Sequence, residues 1–82
     1  MTVYDRIKQL LPGVLVVVTE RFAKREYKLY SHEADKLYAE DFQWKKVLDK
    51  EMDYFINKPA FLMVEIFVKE PDTEKYGYQY RF

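Results

Sequence analysis

Two prolines constrain the fold of this chain more than any other residues. Pro12, which Gly13 follows, and Pro59 each separate a helix-like pattern from a dense apolar run, 14–18 in one case and 60–64 in the other. Proline lacks the backbone N–H and clashes with the preceding helical turn, so a helix that reaches it ends there. The sequence therefore predicts two similar units, each with a helix followed by strands.

The first unit begins with a capping box, because Thr2 is followed three residues later by Asp5. The apolar residues after this cap lie at helical spacing and predict a short helix that Pro12 ends. These residues are Val3, Ile7, Leu10 and Leu11.

A hairpin is predicted after Pro12, with strands at Val14–Phe22 and Glu26–Tyr30. The uniform valine run at the start of the first strand indicates burial on both faces. The turn at 23–25 lacks the glycine that tight hairpin turns favour. A long helix that begins near Glu20 is the alternative, because 14–58 contains no glycine or proline and its apolar residues lie near a heptad spacing.

The second unit contains two predicted helices, His32–Ala39 with Ser31 as its cap and Phe42–Ile56 with Asp41 as its cap. The apolar stripe of the longer helix comprises Trp44, Val47, Leu48, Met52, Phe55 and Ile56. Alternating residues then predict a central strand at Phe61–Lys69 and a C-terminal strand at Tyr76–Phe82 whose one face is wholly aromatic.

These elements predict one α+β domain that spans residues 1–82. Its fold is a two-layer sandwich, in which two principal helices cover one face of a mainly antiparallel four-stranded sheet. The order along the chain is helix, hairpin, helix, hairpin, and the helix-free face of the sheet is left for a function.

Composition excludes several functions. The chain has no cysteine and only two glycines, which argues against a zinc finger, a thiol nucleophile and a glycine-rich phosphate loop. Fourteen basic residues balance 14 acidic ones, so a strongly basic nucleic-acid binder is excluded. No signal-peptide pattern and no apolar run long enough for a membrane span is found, which predicts a cytoplasmic protein without a membrane partner.

Catalytic and metal-binding readings find little support in the residues, and we expect neither an enzyme nor a cofactor. Ser31 and His32 are adjacent, so their side chains point in different directions and do not form a nucleophile–base pair. A magnesium-dependent site around Glu65, Lys69 and Asp72 matches no known nuclease spacing. We therefore predict no metal-binding residues.

Binding is the function that the composition favours, because tyrosine and arginine dominate the energetic centres of protein interfaces. The predicted binding residues are Tyr76, Tyr78, Tyr80, Arg81 and Phe82 on the C-terminal strand, with Arg21, Lys24, Arg25 and Lys28 on the neighbouring basic hairpin. The structural alternative is that the tyrosines only cover the helix-free sheet face as cross-strand pairs.

We expect the partner to be a larger protein. Small cysteine-free chains without motifs are frequent among the accessory proteins of phages and mobile elements that inhibit a host enzyme, and this class analogy suggests an inhibitor. One alternative is a single-stranded nucleic acid, because the 75–82 segment resembles the aromatic strand of RNA-recognition sheets. Self-association through the C-terminal strand is another.

Overall fold

The computed structural model describes residues 1–70 of the chain. The predicted C-terminal strand at Tyr76–Phe82 lies outside the described residues, as does the predicted turn at Pro71. The described elements, in chain order, are α1 (Val3–Lys8), β1 (Leu15–Glu20), β2 (Arg25–Tyr30), a 3-10 turn (Ser31–Glu33), α2 (Ala34–Glu40), α3 (Phe42–Leu48), β3 (Met52–Lys58), a second 3-10 turn (Pro59–Phe61) and β4 (Met63–Val68).

The four described strands form one mixed sheet in the order β2-β1-β4-β3. The two hairpins, β1–β2 and β3–β4, are antiparallel, and they meet in a parallel pairing of β1 with β4. The α+β class is confirmed, and so is the central position of the 61–69 strand. The parallel pairing was not predicted, so the description of the sheet as mainly antiparallel is corrected to mixed.

Helix α1 begins as the sequence predicts, but it ends at Lys8 with Gln9 as its C-cap, so the predicted end at Pro12 is wrong. The side chain of Thr2 accepts a hydrogen bond from the backbone of Asp5, and the Asp5 carboxylate accepts one from the backbone of Thr2, which completes the capping box. Val3 and Ile7 of this helix are fully buried in the core. The chain then turns at Gly13, whose φ of 88° suits glycine.

The predicted hairpin of β1 and β2 is also confirmed, which overturns the alternative of a long helix from Glu20. Val16, Val17 and Val18 are all buried, as the valine run predicted. The turn lacks glycine, and Lys24 takes its place with a φ of 55°. A lysine therefore occupies backbone geometry that favours glycine.

The predicted cap at Ser31 is wrong. Ser31 is buried, its hydroxyl donates to the carbonyl of Leu11 at 2.5 Å, and it accepts from the backbone N–H of Val14 at 3.3 Å. This side chain therefore joins the segment that precedes β1 to the residue that follows β2 through hydrogen bonds. The predicted cap at Asp41 is correct, because its carboxylate accepts from the backbone N–H groups of Gln43 and Trp44.

The predicted helix Phe42–Ile56 is wrong beyond Leu48, because Met52–Lys58 forms strand β3. A register shift between Met52 and Tyr54 gives a physical reason for the error. A bulge adds one residue to a strand and changes which face later side chains meet. Met52 and Phe55 therefore both pack against the core at a three-residue spacing that imitates a helix.

All three described helices contribute to one core on one side of the sheet. Its buried members are Val3, Ile7, Val16, Val18, Leu29, Ala34, Val47, Leu48, Val64, Ile66 and Val68. The predicted strand placed Leu62 on the same face as Val64, Ile66 and Val68, but Leu62 precedes β4 with a φ of 49° and is 70% exposed. None of the helices in residues 1–70 has the length and apolar character that crossing a membrane requires.

Candidate functional site

The side of the sheet that faces away from the described helices is the candidate site, and we call it the helix-free face. Because side chains alternate along a strand, the residues that alternate with the core members lie on this face. They are Leu15, Val17 and Thr19 of β1, Glu26, Lys28 and Tyr30 of β2, Tyr54, Ile56 and Lys58 of β3, and Met63, Glu65 and Phe67 of β4. The sequence alternation placed Met63, Glu65 and Phe67 on one face of this strand, opposite Val64, Ile66 and Val68, and the burial pattern of β4 confirms that alternation.

An aromatic pair lies at one end of this face. Tyr54 and Phe67 are opposite each other in the β3–β4 ladder, and their rings stack with centroids 4.5 Å apart. The guanidinium carbon of Arg21 lies 5.3 Å from the Tyr54 ring and 5.7 Å from the Phe67 ring, within the range of cation–π attraction. Arg21 is held there by Asp53, whose carboxylate accepts from its Nη2 at 2.7 Å.

Exposed apolar side chains lie next to this aromatic pair on the helix-free face, and together they form what we call the apolar platform. Ile56 is 42% exposed and Tyr54 is 41% exposed, so large apolar groups reach the surface on the edge strand. Leu15 and Met63 are half-buried and lie opposite each other in the central β1–β4 pair. The helix-free face is therefore an apolar surface whose aromatic end is fixed by its own cation.

The charges at the centre of the face are paired within the chain. Glu65 of β4 forms an ion pair with Lys58 of β3. The Glu65 carboxylate, which the sequence offered as a candidate metal ligand, is thus ion-paired with a lysine. Asp72 lies outside the described residues. Among residues 1–70, no three histidine or acidic side chains converge as a metal site requires.

The predicted basic run on the first hairpin is only partly available. Arg21 pairs with Asp53, and Arg25 lies 3.6 Å from a carboxylate oxygen of Glu20. In residues 1–70, Lys24 and Lys28 have no ion-pair partner, and both are exposed. The structure thus places two free cations at this hairpin where the sequence predicted four.

Glu20, at the end of β1, is 1% exposed and lies at the centre of a buried polar cluster. One carboxylate oxygen accepts from the Tyr27 hydroxyl at 2.7 Å and the other accepts from the Lys50 ammonium. Burial by itself raises the pKa of Glu20, but the hydrogen bonds from Lys50 and Tyr27 outweigh it and leave this pKa below its ordinary value. The cluster joins both strands of the first hairpin to the segment that precedes β3.

The helix layer carries two further networks on its outer surface. The stacked rings of Tyr4 and Tyr38, 4.3 Å apart, join α1 to α2. The Tyr4 hydroxyl donates to Asp35, which Lys8 also contacts, and the Tyr38 hydroxyl donates to Asp49, which Lys45 also contacts. Hydrogen bonds from Lys8 and then Tyr4 lower the pKa of Asp35, while the same bond to Asp35 raises the pKa of Tyr4. These paired groups hold the helices together.

An open apolar cleft lies at the end of the sheet where β1 begins. It has a volume of about 390 Å³ and is lined mainly by apolar side chains, among them Leu10, Leu11, Val14, Pro59 and Leu62. Leu11 is 78% exposed and Leu62 is 70% exposed at its rim. The cleft lies between the segment that follows α1 and the end of the sheet, and core-side residues such as Val64 also line it.

The other residues that the sequence singled out do not converge on a site. His32 accepts from the backbone N–H of Gly13 at 3.3 Å through Nδ1, and its ring stacks on Tyr30. The Ser31 hydroxyl is bonded to backbone groups. The predicted binding residues Tyr76, Tyr78, Tyr80, Arg81 and Phe82 lie outside the described residues.

Sequence reasoning missed Tyr54 and Ile56 as surface residues, because it placed both in a helix. A signal for them was present, since the 54–56 run of tyrosine, phenylalanine and isoleucine has strong strand propensity.

Comparison of this chain with models of protein families, with curated proteins and with solved structures finds no match.

Proposed function

We propose that this chain is a non-catalytic protein-interaction module that binds a larger protein through its helix-free face. The observation that carries the proposal is the stacked Tyr54–Phe67 pair with Arg21 across it, at the end of an exposed apolar surface. Tyrosine and arginine in such a setting are the residue types that contribute most to interface energy.

Preorganisation supports this role. The Tyr54 ring is already stacked and Arg21 is already held by Asp53, so a partner that covers them orders few additional side chains. Each rotamer-rich side chain that binding immobilises costs roughly 0.5–1.5 kcal/mol. A surface whose anchors are fixed in the free protein therefore binds more tightly than a mobile one of equal area.

The charge arrangement favours a protein partner. Lys58 and Arg21 are neutralised by Glu65 and Asp53, so the platform itself presents little net charge to a phosphate backbone. Proteins that bind nucleic acid rely on cations that replace the counterions of several phosphates. An apolar platform with internally paired charges is typical of the centre of a protein interface, where unpaired charged groups are depleted.

The proposed outcome of binding is inhibition, in the manner of the small accessory proteins by which phages and mobile elements block a host enzyme. A compact domain that covers a functional surface of a larger protein needs no chemistry of its own. The predicted binding residues Tyr76, Tyr78, Tyr80 and Phe82 belong to this proposal as additional aromatic contacts, Arg81 as an additional cation, and Lys24 and Lys28 as its basic margin.

Affinity capture with the full immobilised chain, followed by mass spectrometry, tests the proposal. The variants Tyr54→Ser and Ile56→Ser change the helix-free face, and Phe42→Ser is the matched control, because Phe42 is 70% exposed on α3. Circular dichroism checks that each variant folds. A partner that Phe42→Ser retains and both face variants lose supports the proposal, whereas equal capture by all variants contradicts it. Tyr78→Ser with Tyr80→Ser tests the C-terminal residues separately.

The second candidate is single-stranded nucleic-acid binding, favoured by Lys24 and Lys28 on the first hairpin, which are exposed and have no ion-pair partner among residues 1–70. Stacking on aromatic side chains contributes roughly 1–3 kcal/mol per base, and such binding weakens steeply with salt. Fluorescence anisotropy with labelled oligonucleotides at low and physiological ionic strength tests it. Absence of binding at low salt rules it out.

A further inference from the structure

The outer edge of β2 is an unpaired edge of the sheet in residues 1–70. The backbone N–H of Ser31 donates to the carbonyl of Val14 at 2.8 Å, which makes this the first hydrogen-bonded pair of the β1–β2 ladder. Hydrogen-bonded pairs recur every second residue in an antiparallel ladder. The backbone groups of Leu29 and Tyr27 therefore face β1, and those of Glu26, Lys28 and Tyr30 face outward.

The side chains on this edge have a specific charge order. Glu26 and Lys28 flank Tyr27, lie on the helix-free face and are exposed. Within the part of the chain that the structure describes, neither forms an ion pair. An unpaired acid and an unpaired base are thus placed symmetrically about one residue.

We propose that a second copy of this chain pairs with β2 along this edge, antiparallel and with the two-fold axis at Tyr27. Glu26 then lies opposite Lys28 of the second copy, and Lys28 lies opposite its Glu26. Both are hydrogen-bonded pairs, so the backbone groups that face outward exchange N–H···O bonds. Directly opposite side chains on one face have Cβ atoms roughly 4.5–5.5 Å apart, which suits an ion pair.

The charges select this register over its neighbours. If the axis moves to Lys28, two lysines face each other, and if it moves to Glu26, two glutamates do. Like charges directly opposite are destabilising in a sheet. Charged residues on an edge strand usually prevent association, but opposite signs on either side of Tyr27 make this edge complementary to itself. An interface of this kind is isologous, because each copy uses the same strand.

The other edge of the described sheet is covered by the first residues of the chain where β3 begins. Next to the start of β3, Thr2 forms a bridge with Glu51, and the backbone N–H of Met52 donates to the carbonyl of Met1 at 2.9 Å. The bulge in β3 further disrupts a continuous row of backbone groups. Association through β2 joins two helix-free faces into one surface, and it does not depend on the function proposed above.

Sedimentation equilibrium of the full chain tests the proposal through charge reversal. Wild type is expected to dimerise, and Glu26→Lys or Lys28→Glu alone is expected to raise the dimer dissociation constant by at least about tenfold, because each creates two like-charge pairs. The combined Glu26→Lys, Lys28→Glu variant restores opposite charges and is expected to dimerise within about threefold of wild type. Both positions are exposed, so the circular dichroism spectrum of each variant is expected to match that of wild type, and thermal unfolding is expected to match at concentrations where all the proteins are monomeric.

Glu40→Lys and Lys36→Glu are the matched controls, because they reverse exposed charges on α2 and leave β2 intact. An equimolar mixture of the two single β2 variants, one of them labelled with nitrogen-15 so that native mass spectrometry separates the dimers by mass, is expected to form heterodimers. The proposal is overturned if wild type remains monomeric at millimolar concentration, which includes the case in which residues 71–82 occupy the edge. It is equally overturned if a dimer forms that neither reversal weakens.

Discussion

Tyr54 and Phe67 stack across the β3–β4 pair with an angle of 13° between their rings. The contact connects an edge strand to a central one at the point where the β3 ladder passes its bulge. Cross-strand aromatic contacts stabilise a sheet beyond the area they bury. The same two rings therefore hold β3 in place and form the aromatic end of the helix-free face.

A double-mutant cycle at these rings measures the structural part of this role. Tyr54→Ala and Phe67→Ala are expected to be non-additive, with a coupling free energy of about 0.5–1.5 kcal/mol, because either change alone already breaks the stack. Urea denaturation of the four proteins in the cycle provides the measurement. Tyr54→Phe is the control and is expected to retain most of the stability, since the hydroxyl lies 3.5 Å from the Arg21 Nη1 and the ring is kept. Strictly additive effects would show that the rings do not interact.

Glu20 makes the stability of the fold depend on pH. Burial opposes ionisation of this carboxyl, but its hydrogen bonds with Lys50 and Tyr27 leave its pKa below the value in the unfolded chain. The unfolded state therefore takes up the proton first as the pH falls. The contribution of Glu20 to stability is present above the ordinary glutamate pKa of about 4.3 and is lost as the pH falls through the folded-state value.

Glu20→Gln is accordingly expected to cost about 1–2 kcal/mol at pH 7, because the charge-assisted hydrogen bonds are lost. The difference from wild type is expected to shrink as the pH falls below the ordinary glutamate pKa and through the lower pKa of the folded state, where the carboxyl becomes protonated. Urea unfolding at several pH values measures both effects. Glu40→Gln, which removes an exposed carboxylate from α2, serves as the comparison and is expected to change little. A pH-independent gap would contradict the assignment.

Local chemistry made the first third of the fold predictable. The capping box of Thr2 and Asp5 depends on neighbours within a few residues and formed as expected, although the helix ends at Lys8, before it reaches Pro12. The valine run of β1 reports burial directly, and the alternation along β4 assigned its two faces correctly. These features need no knowledge of distant parts of the chain.

Strand β3 could not be recognised from local spacing. Met52 and Phe55 do pack against the core, as the predicted helical stripe required, but a bulge produces their three-residue spacing. The parallel pairing of β1 with β4 joins segments that lie 48 residues apart, as in Leu15 with Met63. No pattern within either strand specifies that pairing.

The site was only partly predictable for a similar reason. Arg21 was correctly assigned to the first hairpin, but its partner Asp53 lies 32 residues away on a strand that the sequence placed in a helix. Glu20 likewise draws Arg25 away from the predicted basic run. Which charges are free depends on tertiary contacts, so counting them along the sequence overestimated the basic margin.

The β1–β2 turn offers a test of backbone strain at a single residue. Lys24 has a φ of 55°, its side chain is exposed, and in residues 1–70 it has no ion-pair partner. A residue with a Cβ pays roughly 1–2 kcal/mol in the left-handed region, whereas glycine adopts it freely. Glycine also loses more entropy on folding, which offsets part of that gain. Lys24→Gly is therefore expected to raise the free energy of unfolding by about 0.5–1 kcal/mol.

Lys24→Ala separates the effect of the backbone from that of the charge, because it removes the ammonium group but keeps the Cβ. Urea unfolding of both variants is expected to show a gain for glycine alone, and equal stability of the two variants would mean that the turn is not strained at this residue.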